Sequence, residues 1–362
     1  MLYIHIPICA SKCHYCSFYS VGARGVAQEE LTASICRELG ERRGEYSEPL
    51  RTIYFGGGTP SILSEGNISE IFRAIRLHYD TSQVTEVTFE ANPEQLTVEY
   101  LRALRLFGIN RLSIGTQSFD NSRLRSIGRR HSVECAEEAV RRAREAGFEN
   151  ISVDLMFGFE DLTLEEWERS ISSALKLNPE HISAYQLTIE EGTLFSRRGV
   201  TTASDEVCFE QYSILCKRLA AAGYQHYEIS NFSLPGYSSR HNSSYWTGAK
   251  YLGIGPSAHS YDGARERRWN LSSIKEYLER TSYESEHLSD TDLHNEYIMT
   301  RLRTSEGIDL TEYRTRFNRD LLAEHPKAEL TAQGLHTKEN HLYIPELAMF
   351  TSDTTISTLF WD

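Results

Sequence analysis

Hydrophobic and polar positions follow two rhythms along this chain. Short runs rich in β-branched and aromatic residues, at 2–6, 52–55, 86–90, 111–114, 151–156 and 181–187, have the length and composition of strands. Between and after them, apolar residues recur at helical spacing over 27–42, 68–79, 97–106, 132–146, 164–177 and 205–222. Punctuation supports the helices. Thr163 stands three residues before Glu166, a capping-box spacing, and Gly108, Gly147 and Gly223 each follow a helical run.

Strand–helix alternation of this kind predicts parallel pairing with right-handed crossovers. Six units suit an open doubly wound sheet or a partial barrel. Polar or glycine residues gather just after nearly every strand: Gly56, Gly57, Gly58 and Thr59, then Glu90, Gln117, Asp154 and Gln186. An open sheet concentrates its chemistry at one switch point, whereas a barrel spreads it over many strand ends. The predicted fold is therefore α/β, a partial (β/α)6 TIM-type barrel over 1–227. After Tyr227 the pattern changes to loops rich in Ser, Tyr, Gly and His, which predicts a loop-rich extension over 228–287. A helical segment resumes at about Leu288, and a β-rich tail is expected to run to Asp362, together a small C-terminal α+β domain over 288–362.

Composition narrows the class. A chain of 362 residues exceeds what one core usually serves, which agrees with a second, smaller unit. No apolar run reaches the roughly 18 residues of a membrane span. The amino terminus carries no basic leader, so a cytoplasmic protein without a transmembrane span is expected. The formal charge of −13 repels phosphate backbones. The nearest basic group, Arg129-Arg130-His131 with Arg141, Arg142 and Arg144, is interrupted by Glu134, Glu137 and Glu138 and reads as a solvated helix face. Nucleic acid is not an expected partner.

Seven cysteines, an odd number in a reducing compartment, argue against a disulfide framework. Cys36, Cys135, Cys208 and Cys216 are scattered through helical stretches as small hydrophobes. Cys9, Cys13 and Cys16 instead form a C-x3-C-x2-C cluster. Three thiolates are one short of a closed structural zinc set and suit a four-iron cluster with one open iron. Spacing alone leaves two alternatives: zinc completed by His5 or His14, or a cysteine stripe on one helix face.

The surrounding sequence decides. The cluster follows directly on the first strand, with Tyr15 immediately before the third cysteine, and this resembles the signature of the radical-SAM family. Gly56-Gly57-Gly58-Thr59-Pro60 and Gly115-Thr116-Gln117-Ser118-Phe119 resemble the oxygen-independent coproporphyrinogen oxidase subfamily, over almost the whole chain. The resemblance implies a 4Fe-4S cluster on Cys9, Cys13 and Cys16, with S-adenosylmethionine (SAM) on the open iron. It places Gly57, Gly58 and Thr59 against the methionine moiety, and Tyr3, Glu90, Gln117, Arg129 and Asp154 around the remainder. The triple glycine lacks the Lys-Ser/Thr ending of a phosphate loop, so its missing side chains are expected to let backbone approach a ligand. Gly253-Ile254-Gly255-Pro256-Ser257-Ala258 mimics a dinucleotide fingerprint, but Pro256 and the polar residues after it make a poor helix start. The resemblance assigns that stretch to the side of the SAM pocket.

Arg240-His241-Asn242-Ser243-Ser244-Tyr245-Trp246 matches the H-N-x-x-Y-W pattern of the haem-chaperone branch of this subfamily. The resemblance implies haem or a porphyrin as ligand, with His241 as a candidate axial residue and Tyr245 and Trp246 as aromatic contacts. From the residues alone, a loop histidine bonded to backbone, with Tyr245 and Trp246 as core packing, is the better account; the resemblance brings the two level. Two functions compete: a haem chaperone serving acceptor haemoproteins, and a coproporphyrinogen III dehydrogenase performing radical oxidative decarboxylation of propionates. Both imply SAM, and an electron donor is an expected partner. True oxidases resemble C-x3-C-x2-C-x-C with an extension before the first strand. Here Phe18 holds the fourth cysteine position and Tyr3 is nearly the first residue, which favours the chaperone. A radical-SAM RNA modifier is disfavoured by the acidic charge.

Overall fold

Strands that are apolar on both faces need cover on both, which a ring of parallel strands wrapped by helices supplies. The computed structural model describes residues 1–361; Asp362, the end of the expected C-terminal unit, lies outside them. The six expected strands form as β1 (Leu2–Ile6), β2 (Thr52–Gly57), β3 (Glu86–Ala91), β4 (Arg111–Gln117), β5 (Ile151–Phe157) and β6 (His181–Gln186). All five successive pairings are parallel. Three short strands extend the sheet: β7 (Gln225–Glu228), β8 (Asn231–Ser233) and β9 (Leu252–Ile254), in the order β9-β1-β2-β3-β4-β5-β6-β8-β7. β9 lies parallel to β1, whereas β8 is antiparallel to both β6 and β7. The edges β9 and β7 do not pair, so the barrel is partial.

The helices are α1 (Gln28–Glu41), α2 (Glu65–His78), α3 (Val98–Phe107), α4 (Val133–Glu145), α5 (Leu164–Lys176) and α6 (Asp205–Ala221). Thr97, Ser132, Thr163 and Ser204 each cap by accepting the backbone N–H three residues on. α2 begins three residues before the expected 68 because Ser64 accepts the Asn67 N–H and sets the start ahead of the first apolar residue. One apolar cluster joins strands and helices, including Ile4, Phe55, Phe89, Leu112, Val153 and Trp167. Of the scattered cysteines, Cys208 and Cys216 are buried but Cys36 and Cys135 are only half-buried.

Two expectations need correction. The stretch after 228, read as loops, contains β8, β9 and a helix α7 (Arg240–Trp246), followed by a sheet of β10 (His259–Tyr261), β11 (Glu266–Asn270) and β12 (Tyr283–His287). Its apolar runs are too short to show a period and gain order from pairing with neighbours. The tail is not β-rich to its end. After α8 (Asp290–Leu302) come β13 (Ile308–Asp309), β14 (His336–Lys338) and β15 (His341–Tyr343), then a 3-10 turn Glu346–Thr351 and a helix Ser352–Ser357. The β-branched residues there suggest strand, but Met349, Ile356 and Leu359 share one buried side against Ile298, Leu302 and Tyr313. Among the described residues no helix is long and apolar enough to cross a membrane.

Candidate functional site

The chain leaves β1 through Pro7 into a loop closed by parallel pairing of Ile8–Cys9 with Val21–Gly22. The Val21 N–H donates to the Pro7 carbonyl at 2.7 Å. Inside the loop the Cys16 N–H donates to Cys13 O at 3.2 Å, a turn rather than a helix, so the cysteine-stripe alternative falls. His14 pins the loop from outside: its N–H donates to Ile127 O at 3.0 Å and Nδ1 to Ser126 O at 2.8 Å. The His5 ring nitrogens contact the Tyr3 hydroxyl (3.1 Å) and Tyr19 O (3.2 Å). Both ring nitrogens of His5 are thus committed to protein partners, and His14 commits Nδ1. Among the described residues, the one group of three Cys, His or acidic donors within 4.8 Å of one another lies elsewhere, so the three sulfurs are spread wider than ligands of one ion.

The loop roofs a cavity of about 420 Å³ at the carboxyl ends of the strands. Every residue expected around cluster or SAM lines it except Tyr3, whose hydroxyl meets His5 instead. None of residues 253–258 lines it. Two donors face the sulfurs: Thr59 Oγ1 lies 3.5 Å from Cys9 Sγ and Arg129 Nη1 3.4 Å from Cys13 Sγ. Arg129 is held by Asn92 Oδ1 at 2.9 Å and by the Gly115 carbonyl. A Cβ at Gly115 would stand 2.5 Å from Arg129 Nη2, so glycine there makes room for the guanidinium.

The floor is acidic. Glu90 accepts from the Tyr54 hydroxyl at 2.7 Å and from the Gly57 N–H at 3.2 Å, and Asp154 accepts from Ser113 Oγ at 3.4 Å. Burial, reinforced by the Asp154 charge, pushes Glu90 up to about 7 against those two bonds. Burial pushes Asp154 up to about 6, although Arg129 and Arg111 pull it down. Two carboxylates held in this way favour a cationic ligand.

Glycine at the end of β2, where Gly57 and Gly58 line the cavity, is also required by packing. Gly57 has φ +106° and its Cβ would stand 2.5 Å from the His5 ring, while a Cβ at Gly58 would meet the Ile6 and Ile8 carbonyls at 2.8 Å. The missing side chains accommodate protein neighbours. Gln117 is buried in the left-handed region (φ 64°) where β4 shifts register against β5, local strain of the kind that gathers at binding sites. Sequence reasoning missed Tyr54, Asn92, Ser113 and Tyr185, which also line or brace the cavity. The signal for Tyr54 and Ser113 is a polar group inside an otherwise apolar strand.

The H-N-x-x-Y-W segment forms α7 at the other end of the barrel. Glu86, the first residue of β3, accepts the Arg240 and His241 N–H groups, each at 2.9 Å. His241 is 1% exposed, with Nδ1 2.8 Å from Thr52 Oγ1 and Nε2 3.1 Å from the Tyr245 hydroxyl. Tyr245 and Trp246 are half-buried. Tyr245 lines a second pocket of about 230 Å³ with Tyr251, Tyr261, Tyr297, Arg267 and Arg316.

Sequence and structure comparisons agree with this architecture. Residues 3–174 match the Radical SAM superfamily model and residues 288–350 the HemN C-terminal domain model. The Bacillus subtilis protein named heme chaperone HemW is 35% identical over 357 residues, 94% of each chain. Its namesake from Escherichia coli is 35% identical over 320 residues, covering 86% of this chain and 84% of that one. The solved structure of coproporphyrinogen III oxidase (HemN) from Escherichia coli superposes with a TM-score of 0.84 at 20% identity, covering 99% of this chain and 89% of that one, and so shares the fold. The fold and the cysteine-roofed cavity define a radical-SAM protein, and within that superfamily the chain belongs to the family of the proteins named HemW.

Proposed function

We propose that this protein is a radical-SAM haem chaperone that binds haem and passes it to acceptor haemoproteins while holding a 4Fe-4S cluster and SAM. The observation that carries the cofactor reading is the convergence of Cys9, Cys13 and Cys16 on one cavity with Gly57, Gly58, Thr59 and the Glu90–Asp154 pair. The donor set fits. Three soft thiolates on a curled loop, none paired in a disulfide, suit iron–sulfur ligation, and two carboxylates suit the positive charge of SAM. When bound, the pair supplies low-potential one-electron chemistry at a sulfonium, fed by an electron donor.

The chain's own groups do the holding. Thr59 and Arg129 point donors at Cys9 and Cys13, which lowers the electron density of the thiolates. Tyr54 and the Gly57 N–H orient Glu90, and Gln117, Asp154 and Arg129 complete a polar wall. Tyr3 supports this shell through His5.

The relatives' names and the α7 segment support the haem part. Tyr245 and the neighbouring Tyr251, Tyr261 and Tyr297 offer flat faces suited to a porphyrin edge, and Arg316 a guanidinium suited to a propionate, while Arg267 is paired with Glu296 and Glu286. His241 reaches that pocket through its bond to Tyr245. Anaerobic reconstitution should give about four irons per chain, and Cys13→Ala should abolish it; unchanged iron content would refute the ligand assignment. Reduced, SAM-loaded protein incubated with coproporphyrinogen III should leave it intact. Formation of protoporphyrinogen would overturn the chaperone reading in favour of a dehydrogenase.

A further inference from the structure

A cluster outside both pockets, with Cys216 and the His226 side chain buried and the Glu346 side chain 47% exposed, has no part in the proposed function. Cys216 lies on α6, His226 on β7, and Glu346 opens the 3-10 turn after β15. Their donor atoms form the one group of such ligands within 4.8 Å of one another among the described residues. Cys216 is 2% exposed and the His226 side chain 3%. The imidazole is stacked on Phe232, centroids 4.1 Å apart, with Tyr212 at its edge. The Tyr212 hydroxyl also donates to the Glu346 carbonyl at 3.0 Å, which fixes the third member.

The hydrogen-bond inventory leaves one nitrogen of this cluster without a partner. His226 Nε2 faces the Ile229 carbonyl at 3.4 Å, and a carbonyl only accepts, so the ring proton belongs on Nε2. Nδ1 is then a bare lone pair. It is buried, makes no hydrogen bond, and faces Glu346 Oε1 at 3.5 Å. A lone pair and a carboxylate that face each other, with a thiol sulfur within 4.8 Å of both, can be bridged by a second proton or by a metal ion that displaces the thiol proton. Distance separates the two: a charge-assisted N–H···O bond closes to about 2.7–2.9 Å. Around tetrahedral zinc, with bonds of about 2.0–2.1 Å to N and O and about 2.3 Å to S, neighbouring donors stand roughly 3.3–3.6 Å apart. The 3.5 Å between Nδ1 and Oε1 falls in the second range, and the Cys216 sulfur lies within 4.8 Å of both.

We propose that Cys216 Sγ, His226 Nδ1 and a Glu346 carboxylate oxygen bind one divalent cation of the zinc class, with water as fourth ligand. The mixed S, N and O set selects zinc over magnesium or calcium, which take oxygen ligands. Binding releases the Cys216 proton to solvent and ties α6 and β7 to the segment after β15.

The test uses the full chain with Cys9→Ala, Cys13→Ala and Cys16→Ala, which removes the clustered thiolates of the first loop. After incubation with zinc sulfate and desalting, it should retain about one zinc per chain. Adding Cys216→Ser or His226→Ala should remove it, and cobalt(II) should give a thiolate charge-transfer band that Cys216→Ser eliminates. Failure of the triple variant to retain zinc, or retention that survives both added substitutions, would overturn the site. If circular dichroism shows the triple variant unfolded, Cys216→Ser in the cluster-loaded chain decides instead. There the zinc-to-iron ratio must fall, and an unchanged ratio refutes the proposal.

Discussion

Glu90→Gln removes a charge that the fold holds at a cost. Burial raises the Glu90 carboxyl from its ordinary 4.5 to about 7. At about 1.4 kcal/mol per tenfold change in ionisation, that displacement caps the destabilisation at about 3 kcal/mol. The carboxyl borders an open cavity, so solvent trims the figure. Glutamine also keeps only one acceptor for the Tyr54 hydroxyl and Gly57 N–H, which costs about 1 kcal/mol. Because the folded-state value is raised, the carboxyl's favourable contribution is complete below 4.5 and is lost as pH climbs towards 7. The variant should therefore be more stable than the parent by about 1–2 kcal/mol above pH 7 and slightly less stable near pH 4.5, with the curves crossing between. Urea denaturation of the cluster-free chain across that range measures the difference. Parallel curves would show that Glu90 titrates normally and that the acidic floor carries no stored cost. Equilibrium dialysis should show weaker SAM binding in the same variant, a gain in stability set against a loss of ligand.

The other outcomes follow from single contacts. Gly57→Ala places a methyl 2.5 Å from the His5 ring at φ +106°, and should lower stability by roughly 1–3 kcal/mol and distort the cysteine loop. Thermal denaturation and reconstituted iron content measure these, and a fully loaded variant of parental stability would refute the close approach. His241→Ala leaves Thr52 and Tyr245 without their shared partner and should cost about 2–3 kcal/mol. Haem affinity, read from a Soret titration of the folded fraction, should fall; an unaltered titration would remove His241 from haem binding.

Local order was largely legible in the sequence because it depends on local chemistry. β1 through β6 were evident as short β-branched and aromatic runs and α1 through α6 from the period of 3.6, since each is long enough to show its pattern in the chain itself. The Cys9, Cys13 and Cys16 spacing was equally explicit, because residues that share one loop are close in the chain. Tertiary structure decided the remainder. Three-residue strands such as β8 and β9 exist only because a sheet edge offers them hydrogen bonds, and the tail becomes helical because Met349, Ile356 and Leu359 fill one side of a core assembled elsewhere. His241 reads in sequence as a loop residue, yet Glu86 and Thr52, the first residues of neighbouring strands, seal it beneath the barrel. Cys216, His226 and Glu346 carry no shared pattern at all, since only folding brings α6, β7 and the segment after β15 together. Sequence specifies what each short segment can form by itself; which distant groups must share a desolvated space is settled by packing, where burial sets both contacts and charge.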